Sequence, residues 1–231
     1  MNRPFILCYM MTSIDGRIDC SMTGQLKGVD TYYELLEELD LPTTVSGRVT
    51  AELEMALPGK FESAEKTPIG KSTFKVNQKA AGYEVIVDSK GCLLWGDQKG
   101  EEKPVLILTT EKVSKEYLAY LDENSISYIA CGSDKVDLAE ACRILKEKFG
   151  VKRMGVVGGP TNNTAFLKEG LLDEIVLLVG AGIDGRANMI SVFEGIAPNS
   201  DVIPLHLLEV RKYETEAVML RYSTQADNTA E

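Results

Sequence analysis

The stretch Met154–Gly170, MGVVGGPTNNTAFLKEG, decides the fold. A short apolar run ends in Gly158 and Gly159, and Pro160 and Thr161 then open a helix that Gly170 closes. This order leaves bare backbone N–H groups just beyond the carboxyl end of a strand. The first amides of a helix have no intrahelical partners and its dipole favours negative charge there, so the turn suits a phosphate. A side chain at 158 or 159 would hold a ligand away from the main chain. A tight strand-to-helix turn would ask for the same two glycines.

On either side, strand-like and helix-like segments alternate. Phe5–Met11 reads as a buried first strand, and Ser13–Gly28, polar and glycine-punctuated, as a loop. Asp30 is placed to cap a helix with Tyr32, Leu35, Leu36 and Leu39 on one face. Thr43–Ser46 is a short strand, and Val49, Leu53, Ala56 and Leu57 suggest a short helix stopped by Pro58 and Gly59. Residues 58–82 show no apolar period and read as an excursion or flap. Strands follow at Tyr83–Val87, Val105–Thr109, Ser127–Ala130 and Ile175–Val179. Ser114 starts one intervening helix, and Asp137 with Glu140 has capping-box spacing for the next. Val202–Val210 and Ala217–Tyr222 form an antiparallel C-terminal hairpin, and 224–231 a disordered tail.

These elements predict one α/β domain over 1–223: a mostly parallel mixed sheet with helices on both faces and an antiparallel C-terminal edge. Ligands of such sheets bind beyond the carboxyl ends of the strands. That rule nominates Ser13–Gly16, Gly47–Thr50, Asp88–Lys90, Thr110–Lys112, Gly132–Ser133 and Gly158–Thr161.

Composition narrows the chemistry. The 231 residues carry a net charge of −10, which speaks against a general nucleic-acid or membrane-surface partner. No window reaches the roughly 20 apolar residues of a bilayer span, and no secretory leader is legible. Five cysteines, widely spaced and without a CxxC pattern, suit a reduced cytoplasmic setting rather than a disulfide framework or a metal site. His206 is the single histidine and lies in an apolar run, VIPLHLLEV, where it reads as a strand residue. A histidine-based triad or zinc site has nothing else to build on. Gly180–Gly185, GAGIDG, is a literal G-x-G-x-x-G, but RANMISVFEGIAPNSD follows it, not a helix and a second parallel strand. The dinucleotide fingerprint is therefore rejected.

TSIDGRID (12–19), SGRVT (46–50), VIVDSKG (85–91), VVGGP (156–160) and LLDEIVLLVGAGIDG (171–185) occur in an order that resembles a known group. It is the dihydrofolate-reductase-like three-layer fold, specifically the C-terminal reductase domain of the riboflavin-biosynthesis deaminase/reductase and its stand-alone relatives. The resemblance covers about residues 4–223. It implies NADPH as hydride donor, with Gly158, Gly159, Pro160 and Thr161 at the cofactor phosphates. Thr50 and, four residues on, Glu54 would line the cofactor, with Asp88, Ser89 and Lys90 near its adenosine end and Gly132 completing the groove. Asp15 would sit near nicotinamide and substrate as the catalytic residue, though an Asp-Gly pair also serves a simple turn. Ser13, Gly16, Arg17 and Arg48 are the further substrate-side candidates.

The reaction implied is reduction of a ribosylamino-pyrimidine 5′-phosphate at the former anomeric carbon by a homodimer, with no metal and no covalent nucleophile. Two positions depart from the family pattern: Tyr9 stands where a lysine is common, and Val157 where a glutamate precedes the Gly-Gly turn. Arg17, Arg48 or Arg186 could supply the missing charge. A dihydrofolate- or pterin-like reductase and a non-catalytic nucleotide-binding module are the alternatives.

Overall fold

A computed structural model describes residues 2–225. Residues 226–231, on which most of the expected disordered tail falls, lie outside the described residues. In chain order the elements are β1 (Phe5–Thr12), α1 (Cys20–Thr23), α2 (Val29–Glu38), β2 (Thr43–Gly47), α3 (Arg48–Glu54), β3 (Thr73–Lys75), β4 (Glu84–Val87) and β5 (Val105–Thr109). They continue with α4 (Lys115–Glu123), β6 (Ser127–Ala130), α5 (Leu138–Phe149), β7 (Arg153–Val156), α6 (Pro160–Lys168), β8 (Glu174–Val179), β9 (His206–Lys212) and β10 (Val218–Ser223).

The chain packs as two compact units, one of residues up to Pro4 with Pro42–Met154, the other of Phe5–Leu41 with the chain from Gly155 onward. In the first unit the strands lie in the order β3-β6-β5-β4-β2. β2, β4, β5 and β6 run parallel, and β3 is an antiparallel edge on β6. Parallel strands covered on both faces read as continuous apolar runs, which is why VLILT at 105–109 is buried throughout. Ile86, Ile107, Tyr117 and Leu121, all fully buried, centre its core. In the second unit the order is β1-β8-β10-β9, with β1 parallel to β8 and the hairpin β9–β10 antiparallel. Leu7, Tyr9, Val176 and Leu178 are fully buried there against Leu35 and Met219.

Helix caps follow the sequence in α4 and α5. Ser114 accepts the N–H of Tyr117 at 3.1 Å and Asp137 that of Glu140 at 2.9 Å. In α2 the cap is Gly28 at φ 97°, not Asp30, which lies in the first turn. Three further expectations need correction. A short helix, α1, interrupts the loop expected over Ser13–Gly28. The helix expected from Val49, Leu53 and Leu57 forms as α3 but buries Ala51, leaving those three exposed. The last hairpin begins at His206, and Val202 is 91% exposed.

The 58–82 excursion contains β3 and is fastened by side chains to backbone. Glu116 of α4 accepts the Ser63 hydroxyl at 2.7 Å and the N–H groups of Ala64 and Glu65 at 2.8 and 3.1 Å. Ser127 accepts the N–H of Asn77 at 3.0 Å. Hydrophobic periodicity does not register such fastenings. The Ser63 hydroxyl and then the Glu65 and Ala64 amides hold the Glu116 carboxyl below its ordinary range. A depressed carboxyl contributes stability above its unfolded value, near pH 4.3, and loses it as pH falls through the folded value. Protection of the Ala64 and Glu65 amides from hydrogen exchange should therefore persist at neutral pH and fade below about pH 4. Glu116→Gln should remove that fading and lower protection at pH 7.

Candidate functional site

In the second unit, β8 and β1 end beside each other, and the loops leaving them are joined around one carboxylate. Asp15 accepts the Ser13 hydroxyl at 2.7 Å, the Asp184 N–H at 3.0 Å and the Gly185 N–H at 3.0 Å. The Ser13 hydroxyl, then those two amides, hold its carboxyl down at about 2. An acid so depressed is ionised at neutral pH, far from the pKa that suits a proton donor. Arg17 donates to the carbonyl of Met189 at 2.6 Å, with its Nε 3.9 Å from Asp15. Arg186 reaches both oxygens of Asp184, at 2.5 and 2.8 Å, and Asp19 at 3.0 Å. Ser13 is buried, and its hydroxyl accepts the N–H of Arg17, closing the turn over Gly16.

The G-x-G-x-x-G thus has a local explanation. A Cβ at Gly182 would come 2.4 Å from Leu26, and one at Gly180 within 2.8 Å of it. The motif's last two residues present their amides to Asp15, and among the described residues no helix follows before β9.

The opening of α6 matches the sequence reading closely. Gly159 caps the helix at φ 85°, ψ 113°, Pro160 is its first residue, and no side chain caps it. Asn162 Nδ2 in the first turn is buried without a partner. Asn163, fully buried, donates from Nδ2 to the Val192 carbonyl at 2.8 Å, while its Oδ1 has none. Neither asparagine was singled out by sequence, because a polar residue inside a helix carries no pattern of its own. Tyr9 is fully buried; its hydroxyl donates to the Tyr32 carbonyl at 2.9 Å and its ring stacks on Tyr32. Val157 packs on the same apolar cluster.

In the first unit the candidates surround the carboxyl ends of β2, β4, β5 and β6. Asp88 is fully buried, and its Oδ2 accepts the N–H groups of Cys92 and Leu93 at 2.7 and 3.0 Å and the Tyr117 hydroxyl at 3.2 Å. That carboxylate organises the turn rather than facing outward. The Ser89 carbonyl accepts the Thr110 hydroxyl, and Lys90 is exposed. Arg48 donates to Glu52 at 2.5 Å, one turn on. Thr50 is half-buried inside α3, whose cap is Gly47, and Glu54 is exposed at its end. Ser46 Oγ and Thr109 Oγ1, at the ends of β2 and β5, are buried without partners and were not anticipated. Gly132 stands at φ 83°, where a Cβ would lie 2.2 Å from the Lys135 carbonyl oxygen. Its glycine is a steric requirement of the loop. Gly132→Ala should accordingly cost more than about 1 kcal/mol in urea denaturation, since the native backbone is incompatible with a side chain.

The arrangement has counterparts. A pyrimidine reductase-like protein from Corynebacterium diphtheriae superposes with a TM-score of 0.71 at 19% identity, covering 98% of this chain and 94% of that one. The fold is thus that of the pyrimidine reductase-like proteins. The family model for the RibD C-terminal domain matches residues 4–219, and the chain belongs to that family. It is 32% identical over 185 residues to the riboflavin biosynthesis protein RibD of Chlamydia muridarum, covering 77% of this chain and 46% of the relative. Over 97 residues, 41% of this chain and 42% of the relative, it is 32% identical to the 2,5-diamino-6-ribosylamino-4(3H)-pyrimidinone 5′-phosphate reductase of Aquifex aeolicus. The chain spans under half the length of either relative. No helix among the described residues is long and apolar enough to cross a membrane.

Proposed function

We propose that this chain is an NADPH-dependent reductase that delivers hydride to an imine or carbonyl carbon, in first place that of a ribosylamino-pyrimidine 5′-phosphate. The observation that carries this reading is the opening of α6. Gly159 holds a backbone that an L-residue adopts only under strain, the first turn has no side-chain cap, and Asn162 Nδ2 is an unpartnered donor within it. Uncapped amides with an orphaned donor beside them fit a pyrophosphate. When bound, NADPH supplies the hydride; the main chain of Gly158, Gly159 and Thr161 and the Asn162 amide would hold its phosphates. Within the first unit, Thr50, Glu54, Ser89 and Lys90 are proposed as cofactor contacts on the resemblance alone, and Asp88 and Gly132 shape the loops that carry them.

The residues place and orient rather than react. Imine reduction needs the acceptor carbon held against the hydride donor and its changing charge accommodated. The ribosylamino-pyrimidine assignment rests on family membership and on the Aquifex aeolicus reductase. The reading carries with it a single working domain over 1–223, a homodimer and a cytoplasmic setting. Buried Tyr9 and apolar Val157 favour, as a second reading, a pterin-like or other substrate without a phosphate at those positions.

NADPH oxidation with the ribosylamino-pyrimidine phosphate tests both. Turnover supports the first reading. Background rates with retained NADPH binding move the substrate elsewhere, and absence of NADPH binding in calorimetry removes the reductase altogether. Gly159→Val should weaken NADPH about five- to 150-fold, because strain at such a backbone costs about 1–3 kcal/mol.

A further inference from the structure

Between β8 and β9 the chain runs from Gly180 to Leu205 without helix or strand. Irregular segments of that length inside a compact unit are commonly functional. Its first half is sewn down at both ends. At one end the Asp184 and Gly185 amides are held by Asp15, and Ile14 N donates to the Gly182 carbonyl at 2.8 Å. In the middle, Arg17 bridges to Ser191 and Ile18 N donates to the Ile190 carbonyl at 3.2 Å. At the other end, the Val192 carbonyl takes Asn163 Nδ2, and Glu194 N donates to the Thr164 hydroxyl at 2.9 Å. Asn163 and Thr164 are buried residues in the first half of α6, directly after the uncapped turn. The strap therefore connects the loop after β1 to the helix whose opening amides are the proposed phosphate site.

We propose that Asp15 is a positioning residue: through the strap 184–194 it fixes the opening turn of α6, and it gives no proton to the substrate. Three donors already occupy its two oxygens; the Arg17 Nε lies 3.9 Å away, and the neighbouring Asp184 carboxylate is taken up by Arg186. The inference rests on the α6 opening as the dinucleotide site, but its mechanical part stands apart from that reading. Asn163, at the far anchor, should act on the same equilibrium as Asp15.

The test compares wild type, Asp15→Ala, Asn163→Ala and the double variant by NADPH calorimetry and amide hydrogen exchange. Each single change should weaken NADPH about three- to tenfold, with the double no weaker than the worse single. Exchange in Asp15→Ala should rise across 184–194 and into the first turns of α6. The pH dependence of turnover between pH 5 and 9 should keep its shape, as no group titrating there is removed. Additive losses overturn the proposal, as does an Asp15 variant with unchanged NADPH affinity, lower turnover and a vanished pH limb. Asp15→Asn, which keeps one acceptor oxygen, supplies an intermediate case should Asp15→Ala not fold. If wild type binds no NADPH, the reductase reading fails. Exchange then decides the strap alone, and an increase confined to 184–185 overturns it.

Discussion

Carboxylates accepting backbone N–H groups hold the irregular parts of this chain in place. Asp15 takes the amides of Asp184 and Gly185, Asp88 those of Cys92 and Leu93, and Glu116 those of Ala64 and Glu65. Asp173 takes the amide of Ile6, where β1 begins. A loop has no ladder to satisfy its amides, and a carboxylate, acceptor-only and with two oxygens, can serve neighbouring N–H groups together. Part of the surplus of 35 acidic over 25 basic residues is thereby spent on internal order.

This division explains what could be read from the sequence. Periodicity and punctuation located most of the strands because their signals are local, as in VLILT at 105–109 and SYIA at 127–130, but not β3 inside the 58–82 excursion. Caps whose donor lies three residues on, at Ser114 and Asp137, were equally legible. The face of α3 was not. Its apolar side chains point to solvent and small Ala51 packs inward, a choice made by the partner element rather than by the helix. Nor could the sequence show that Asp15 meets residues 184 and 185, since no local rule links positions so far apart. It ranked Asp15 and Asp88 alike as site residues, whereas both oxygens of Asp15 and one of Asp88 are engaged by loop amides.

The two departures from the family pattern have a physical meaning. A lysine at position 9, fully buried among Leu7, Val176 and Leu178, would need a counter-charge to remain ionised. Tyrosine needs only one acceptor, and the Tyr32 carbonyl provides it while the two rings stack. Position 9 consequently contributes to the core of its unit and has no free group for a ligand. Val157 extends the same apolar cluster one residue before the glycine turn. Under the proposed function, substrate recognition would fall to the loops, which vary without cost to the core.

Two of the arginines expected to replace the missing lysine are already committed to carboxylates, Arg48 to Glu52 and Arg186 to Asp184 and Asp19. Arg17 donates to the Met189 carbonyl and keeps a buried Nε without a hydrogen-bond partner, 3.9 Å from Asp15. A cation whose field is cancelled by an adjacent carboxylate attracts a distant anion weakly. The amides at the opening of α6 have no side-chain cap to cancel them, and their dipoles are fixed before any ligand arrives. In a chain with a surplus of negative charge, a phosphate is therefore better served by oriented main chain than by mobile basic side chains. Glycine at 159 is the condition for that arrangement, because only its backbone turns the strand exit into the helix without a side chain in the way.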